Sequence, residues 1–212
     1  MQNVSFKDIL YLVTNRSNQT MSDFKKVTIE ALRAGADIIQ LREKNITDQE
    51  YIKIALEIKE ITDQYNSPLI INDNPFVTKE VKAAGVHIGQ SDNTILQARE
   101  ILGKNAIIGI SIENIDQAKH LNQQQVSYAA ISPIFSTNTK KDIAQPVGLK
   151  NSKIIRDIIN IPLFAIGGIQ NKNVKDVISC GIDGICVISA IFNSSNPFES
   201  TKTLKKLINN DK

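Results

Sequence analysis

Two acidic residues follow two short apolar runs near the middle of the chain. Asp73 comes shortly after the run Leu69–Ile71, and Asp92 comes shortly after Val86–Ile88. If these runs are neighbouring parallel strands, their ends lie about 5 Å apart, so both carboxylates could bind one cation. Carboxylate oxygens are hard ligands that suit Mg²⁺. The alternative is that both residues are helix N-caps, because Asp before an apolar-periodic segment is a common helix start.

A second polar group occupies residues 40–44, QLREK, at the end of another apolar run. The two-residue period of a strand places Gln40, Arg42 and Lys44 on the same side. Buried cations are costly unless an anion meets them, which predicts a phosphate-bearing ligand at this strand end. A solvated strand end is the alternative.

Further polar residues end or interrupt the apolar runs. Asn72 directly precedes Asp73, and Ser111 ends a later run, where it either contacts a ligand or caps the next helix. His87 lies inside an apolar run, and we expect it to be a hydrogen-bonded interior residue rather than a general base. His120 lies on a polar helix, and we expect it at the surface. Because the chain has only these two histidines, we do not expect an imidazole-based mechanism.

The longest irregular segment begins at Ser132 and concentrates groups that suit phosphate oxygens. It carries two hydroxyls, those of Thr137 and Thr139, and the cation Lys140. Loops beyond about 12 residues are uncommon in compact domains and often act as active-site lids. A solvated turn rich in Ser, Thr and Lys is the alternative.

The elements that must position these residues alternate regularly along the chain. One helical connection opens with a capping box, Thr47 followed by Glu50, and ends before Pro68. Regular alternation predicts parallel strands with βαβ crossovers, and residues 1–212 show no composition break, so we predict an α/β fold with a single catalytic (β/α)8 TIM barrel domain. An open doubly wound sheet is less favoured, because no early G-x-G-x-x-G is present. The eight predicted strands are Ile9–Val13, Asp37–Leu41, Leu69–Ile71, Val86–Ile88, Ala106–Ile110, Tyr128–Ile131, Leu163–Ile166 and Gly184–Ile188.

The last two predicted strands end in features typical of phosphate binding. Gly167 and Gly168 follow the seventh strand and would let the backbone come close to a ligand. Ser189 follows the eighth strand and opens a short helical segment. In a (β/α)8 barrel these two loops form a recurrent phosphate cradle, so the sequence indicates a monophosphate ligand.

Composition excludes several classes of partner. The net charge is +3, from 25 basic and 22 acidic residues, with no basic cluster that would indicate a nucleic-acid or membrane surface. Cys180 and Cys186 fit neither a zinc nor a disulfide pattern, so we expect buried thiols in a reducing compartment. Ile9–Val13 is interpreted as a first strand, not a signal peptide, and no apolar run approaches the about 18 residues of a membrane span. We therefore expect a cytoplasmic protein with small-molecule partners.

Taken together, these segments resemble the thiamine-phosphate synthase family, and the resemblance covers nearly the whole chain. It implies a transferase that joins 4-amino-2-methyl-5-(diphosphooxymethyl)pyrimidine to 4-methyl-5-(2-phosphooxyethyl)thiazole, giving thiamine phosphate and diphosphate, with Mg²⁺ as cofactor. The matching segments, in chain order, are QLREK, Asn72–Asp73, GVHIGQSD at 85–92, GIS at 109–111, SPIFSTNTKKD at 132–142 with a Pro-x-Gly after it, AIGGI at 165–169 and VISAI at 187–191.

The resemblance also implies roles for individual residues. Asp73 and Asp92 would be the Mg²⁺ ligands. One departure is Asn74, which stands where the family usually has Arg. The pyrimidine and its diphosphate would be held by Gln40, Arg42, Lys44, Asn72, Ser111 and Lys140. The thiazole phosphate would be held by Thr137, Thr139, Gly168, Ile188 and Ser189.

This chemistry needs no histidine, because the hard step is departure of diphosphate from the pyrimidine methylene. We expect Arg42, Lys44 and Lys140 to be catalytic through neutralisation of the charge on diphosphate. A thiazole tautomerase of the same fold is the nearest alternative, and it would not need the full diphosphate set. A phosphosugar isomerase or epimerase would need a poised base, which no strand end supplies. A non-catalytic phosphometabolite-binding regulator is the third alternative.

Overall fold

A closed parallel barrel forms the centre of the computed structural model. The structure describes residues 6–17, 19–89, 92–137 and 145–209, and for Asp92 and Asn93 it describes only the backbone. Each of the eight strands in these ranges pairs with the next along the chain, and the last pairs with the first. The strands are β1 (Ile9–Val13), β2 (Ile38–Leu41), β3 (Leu69–Asn72), β4 (Gly85–Ile88), β5 (Ile107–Ile112), β6 (Tyr128–Ile131), β7 (Leu163–Ile166) and β8 (Gly184–Val187).

Helices cover the outside of the barrel and follow the strands in turn. A short 3-10 helix, Gln123–Gln125, precedes β6. No helix in the described ranges is long and apolar enough to cross a membrane. The α-helices are α1 (Met21–Arg33), α2 (Asp48–Gln64), α3 (Pro75–Glu80), α4 (Asp92–Leu102), α5 (Ile115–His120), α6 (Gly148–Ile158), α7 (Val174–Ile178), α8 (Ser189–Phe192) and α9 (Pro197–Asn209).

The predicted (β/α)8 fold is confirmed, and each predicted strand coincides with an observed one to within two residues at either end. The capping box is also present at the start of α2. The Thr47 hydroxyl accepts a hydrogen bond from the Glu50 amide at 3.3 Å, and the Glu50 carboxylate accepts one from the Thr47 amide at 3.0 Å. Local capping and hydrophobic period therefore agree with the fold.

Strand side chains alternate between the barrel interior and the helix layer. On β1, Leu10 and Leu12 pack outward against the helices, while Tyr11 points into the barrel. Phe6, just before β1, packs against the interior cluster, with its ring centroid 6.0 Å from that of Tyr128. The buried interior cluster consists of Ile9, Tyr11, Val13, Ile38, Ile70, Tyr128, Ala130, Phe164, Cys186 and Ile188.

Gly109 makes room for the largest side chain of this interior. A Cβ atom added at Gly109 would lie 2.0 Å from Cζ and 2.3 Å from the hydroxyl oxygen of Tyr128. Tyr128 has no exposed surface, so its ring has no open space into which it could move. The small residue on β5 therefore allows the large residue on β6.

We expect Gly109→Ala to lower the free energy of unfolding by about 1–3 kcal/mol, because overpacking forces the tyrosine out of its position. Urea unfolding followed by circular dichroism measures this change. Gly89→Ala is the control, since a Cβ there meets no described atom within 4 Å. Equal unfolding midpoints for the two variants would contradict the packing argument.

Candidate active site

The carboxyl ends of the strands surround an open cleft of about 1580 Å³, which we call the polar cleft. Parallel strands point their carboxyl ends to one edge, so residues far apart in sequence meet there. The structure thus brings together six of the residues that the sequence singled out for the pyrimidine, its diphosphate and the metal. They are Gln40, Arg42, Lys44, Asn72, Asp73 and Ser111.

The segment after β2 keeps the alternation that the sequence predicts. Gln40 lies at the base of the polar cleft with 4% of its surface exposed, and Arg42 and Lys44 follow on the same side. Glu43 turns the other way and accepts two hydrogen bonds from the Arg16 guanidinium, at 3.1 and 3.2 Å. This bidentate pair joins the segment after β2 to the segment after β1 and so helps to hold the cationic side chains at the cleft.

Asp73 and Lys44 form an ion pair at the rim of the polar cleft. The Lys44 ammonium donates to the Asp73 carboxylate at 2.5 Å, and both side chains are 47% exposed. Asp73 has a φ of 62°, and its amide donates to the carbonyl of His87 at 2.8 Å. An exposed pair adds at most about 1 kcal/mol, so a cation at Asp73 or an anion at Lys44 replaces it at little cost.

Three of the predicted site residues lie outside what the structure describes: the side chain of Asp92, and all of Thr139 and Lys140. The predicted metal pair therefore remains a prediction. Among the described side chains, no group of three or more His, Cys, Asp or Glu residues is arranged to hold a metal. A pair of carboxylates, one directly after β3 and one at the start of α4, needs no such group, because Mg²⁺ commonly takes one or two carboxylates together with water and substrate phosphate.

A second cavity of about 450 Å³ lies at the ends of β6, β7 and β8, and we call it the glycine pocket. It contains Thr137, Gly168, Ile188 and Ser189, four of the five residues that the resemblance assigns to the thiazole phosphate. Ser189 is the first residue of α8. The first amides of a helix have no acceptor within that helix, so they can donate to an anion.

The two glycines of this pocket are also required by the packing of the chain itself. Gly167 and Gly168 have φ values of 106° and 66°. Added Cβ atoms would lie 2.6 Å from Cβ of Pro133 and 2.7 Å from the carbonyl oxygen of Ser136, respectively. The prediction for these glycines is a close approach to a ligand. In the structure, Pro133 and Ser136, from the segment that begins at Ser132, lie close to them.

The structure excludes one of the two interpretations of Ser111. The helix-cap interpretation is wrong, because β5 continues through Ile112 and Asn114 caps α5. Ser111 instead lies on the strand, with its hydroxyl 3.0 Å from Nε2 of His87. His87 is hydrogen-bonded in the interior as expected, and His120 is exposed on α5 as expected.

Sequence reasoning missed two tyrosines that connect these polar groups inside the barrel. The hydroxyls of Tyr11 and Tyr128 are 2.8 Å apart. The first accepts from the Gln40 amide at 2.9 Å, and the second lies 3.0 Å from Nδ1 of His87. Burial raises the pKa of both phenols well above their ordinary value. In the sequence, each of these tyrosines is visible only as an inward-facing residue of an apolar strand. Packing in the core explains that pattern equally well.

Asn74, the residue that departs from the family pattern, makes two side-chain hydrogen bonds at the starts of two helices. Its side chain caps α3 by accepting from the Val77 amide at 2.9 Å, and its amide group donates to the Asp48 carboxylate at 2.7 Å. The residue therefore connects the first turns of α2 and α3, next to Asp73.

Comparison with known proteins shows the family to which the chain belongs. The family model described as thiamine monophosphate synthase matches residues 10–191. The chain is 42% identical over 198 residues to thiamine-phosphate synthase of Clostridium novyi (strain NT), covering 93% of this chain and 97% of that protein. It is 39% identical over 208 residues to thiamine-phosphate synthase of Clostridium acetobutylicum, covering 98% and 97%. The structure of thiamine phosphate pyrophosphorylase from Pyrococcus furiosus has a TM-score of 0.86 and 31% identity, covering 96% of each chain. The chain therefore belongs to the thiamine monophosphate synthase family and is an enzyme of this kind.

Proposed function

We propose that residues 1–212 form one catalytic domain that couples 4-amino-2-methyl-5-(diphosphooxymethyl)pyrimidine with 4-methyl-5-(2-phosphooxyethyl)thiazole to give thiamine phosphate and diphosphate. The observation that carries this proposal is that the polar cleft and the glycine pocket adjoin. Ser132, Ile166 and Cys186 line both cavities. Two ligands held in these cavities would meet at the shared wall, as a coupling reaction requires.

The polar cleft suits the pyrimidine diphosphate. Its base carries neutral hydrogen-bonding groups, those of Gln40, Asn72 and Ser111, which suit a heteroaromatic ring. Its rim carries Arg42 and Lys44, whose charges suit diphosphate oxygens, together with the carboxylates of Asp73 and Glu113. Lys140 would add a third cation from the segment after β6. The separation of neutral base and charged rim gives the ligand one orientation, with its leaving group outward.

Asp73 fits a role as a ligand of Mg²⁺. Its carboxylate is half exposed in the wall of the polar cleft, and its charged partner among the described residues is the rim lysine Lys44. Asp92, at the start of α4 on the neighbouring unit of the barrel, would supply the second carboxylate. Bound Mg²⁺ would neutralise part of the charge on the diphosphate leaving group.

The glycine pocket suits the thiazole phosphate. Backbone amides near Gly168, Ile188 and Ser189 are available to a phosphate group, and Thr137 adds a hydroxyl. Thr139 would add a second hydroxyl from the same segment. The pocket is smaller than the polar cleft and has few charged groups in its described lining, which agrees with a monophosphate bound mainly by amides and hydroxyls.

The residues of the chain then act mainly through electrostatics. The step is dissociative: the C–O bond to diphosphate breaks first and its electron pair leaves on the diphosphate, which gives a cationic methylene carbon delocalised into the pyrimidine ring. The lone pair of the thiazole nitrogen then forms the new bond to that carbon. Arg42, Lys44 and Lys140 would stabilise the charge that develops on the leaving group. The segment from Ser132 would exclude water, which otherwise traps the cationic carbon.

We expect the purified protein to form thiamine phosphate from the two substrates with Mg²⁺, and to lose at least about 100-fold in rate with a chelator. Asp73→Asn should cause a similar loss, because it removes a metal-binding charge. Liquid chromatography of the products measures both effects. Asp63→Asn is the matched control, since Asp63 forms a comparable exposed pair with Lys59 at 2.6 Å on α2. Tautomerisation of the thiazole without any coupling would favour the tautomerase instead.

We expect Gly168→Ala to raise KM for the thiazole phosphate about tenfold, equivalent to about 1.4 kcal/mol, with a small effect on KM for the pyrimidine diphosphate. The reason is that its Cβ, at a φ of 66°, would meet the Ser136 carbonyl at the wall of the glycine pocket. Steady-state kinetics with each substrate varied in turn measures the difference. Gly103→Ala is the control, because it has a φ of 78° but no described atom within 4 Å of its Cβ. Equal changes in both KM values would contradict the assignment.

A further inference from the structure

A continuous chain of hydrogen bonds crosses the barrel interior beneath the polar cleft, and we call it the relay. It runs from Gln40 on β2 to Tyr11 on β1, Tyr128 on β6, His87 on β4 and Ser111 on β5. Its four contacts measure 2.9, 2.8, 3.0 and 3.0 Å in that order. Five strands each contribute one residue, so the relay depends on closure of the barrel.

The orientation of the Gln40 amide sets the direction of the hydrogen bonds along the relay. Each phenol has one proton to donate, and burial raises both phenol pKa values, which keeps the hydroxyls protonated. The Gln40 amide nitrogen donates to the Tyr11 oxygen, so the Tyr11 hydroxyl donates its hydrogen bond to the Tyr128 oxygen. The Tyr128 hydroxyl therefore donates to Nδ1 of His87, the other contact of that hydroxyl.

The direction of the last hydrogen bond in the relay, between His87 and Ser111, follows from the same reasoning. Because Nδ1 of His87 accepts a hydrogen bond, a neutral ring carries its proton on Nε2, which donates to the Ser111 oxygen. Rotation of the Gln40 amide by half a turn would place its oxygen against Tyr11. Both phenol protons would then have to reverse, and His87 would carry its proton on Nδ1. The orientation of the Gln40 amide and the tautomer of His87 are thus coupled.

Resting on the proposed function, we infer that Tyr11, Tyr128 and His87 are positioning residues that hold the Gln40 amide with its oxygen toward the polar cleft. An oxygen there accepts a hydrogen bond from an exocyclic amino group. A 4-oxo pyrimidine would instead present a carbonyl oxygen to the same acceptor, and two acceptors cannot form a hydrogen bond. With its oxygen toward the polar cleft, the Gln40 amide selects 4-aminopyrimidine ligands over their deaminated 4-oxo counterparts.

Two features of the packing support this role. Gly109 leaves the space that the Tyr128 hydroxyl occupies, since a Cβ there would lie 2.3 Å from that oxygen. The His87 and Tyr128 rings also stack, with centroids 5.6 Å apart at an angle of 25°. The hydroxyl at the centre of the relay is therefore held by sterics as well as by hydrogen bonds.

The first test is nitrogen NMR of the histidine rings in the wild-type protein, which does not depend on activity. We expect His87 to be the neutral tautomer with its proton on Nε2. His120, whose Nδ1 lies 2.7 Å from the carbonyl oxygen of Asp116, should give the opposite pattern and serves as the internal reference. His120→Gln assigns the two signals. A proton on Nδ1 of His87, or a mixture of tautomers, would overturn the relay.

The second test measures discrimination directly. The dissociation constants of 4-amino-2-methyl-5-(phosphooxymethyl)pyrimidine and of its 4-oxo counterpart are compared by calorimetry. We expect Tyr128→Phe and Tyr11→Phe to lower the ratio of the two constants at least tenfold, because the Gln40 amide is then able to rotate. Tyr51→Phe is the matched control. That buried hydroxyl bonds main-chain groups outside the relay: it donates to the Leu41 carbonyl at 2.7 Å and accepts from the Asn72 amide at 3.3 Å.

These outcomes separate the relay from the proposed function. A wild-type protein that binds neither pyrimidine refutes the proposed function and the selection argued from it, whereas the His87 tautomer still reports whether the relay exists. Normal discrimination in Tyr128→Phe, with the variant folded by circular dichroism, would overturn the positioning role. A lower ratio of the two dissociation constants in Tyr128→Phe and Tyr11→Phe, with the wild-type ratio kept in Tyr51→Phe, supports it.

Discussion

The side chains of two tyrosines lie inside the barrel with no exposed surface. The polar part of the site depends on the hydrogen bonds that their hydroxyls make. A buried hydroxyl without a partner costs about 1–3 kcal/mol, so Tyr11 and Tyr128 must be hydrogen-bonded to each other and to their neighbours. The neighbours are Gln40 and His87. The base of the cleft is therefore ordered by the same bonds that make the interior stable, and Gly109 provides the space in which they form.

The mouth of the barrel divides into two parts with different chemistry. The ends of β2 to β5 carry amides, hydroxyls and charges, while the ends of β6 to β8 carry glycines and a helix start. A diphosphate needs strong compensation of charge, whereas a monophosphate is well held by amides and hydroxyls. Under the proposed function, the barrel supplies both kinds of site because each strand end contributes independently to one rim. Their shared wall is what makes a reaction between two bound ligands reasonable.

The fold was predictable because buried parallel strands are short, apolar and rich in β-branched residues, and the helices between them are capped. The alternation of Gln40, Arg42 and Lys44 was predictable from the two-residue period alone. The extension of β5 past Ser111 was not, because a serine after an apolar run is equally typical of a helix start. The relay was not predictable either, since Tyr11 and Tyr128 differ from core residues only in their three-dimensional neighbours.

For other parts of the site, the sequence supplied only part of the physical reason, or the residues lie outside those that the structure describes. Gly167 and Gly168 were expected to approach a ligand, and the structure adds a contact with the chain that a local sequence pattern does not contain. The side chain of Asp92, with Thr139 and Lys140, falls outside the described residues. Their roles rest on the family resemblance and on the position of their neighbours.

A crystal structure of the protein with thiamine phosphate, diphosphate and Mg²⁺ bound tests the central claim most directly, which is that two ligand sites meet at one shared wall. The account predicts the phosphate of thiamine phosphate in the glycine pocket beside Gly168 and Ser189. It predicts the pyrimidine amino group against Gln40, and diphosphate at the cationic rim near Arg42 and Lys44. Phosphate bound elsewhere, or a pyrimidine that makes no contact with Gln40, would contradict it.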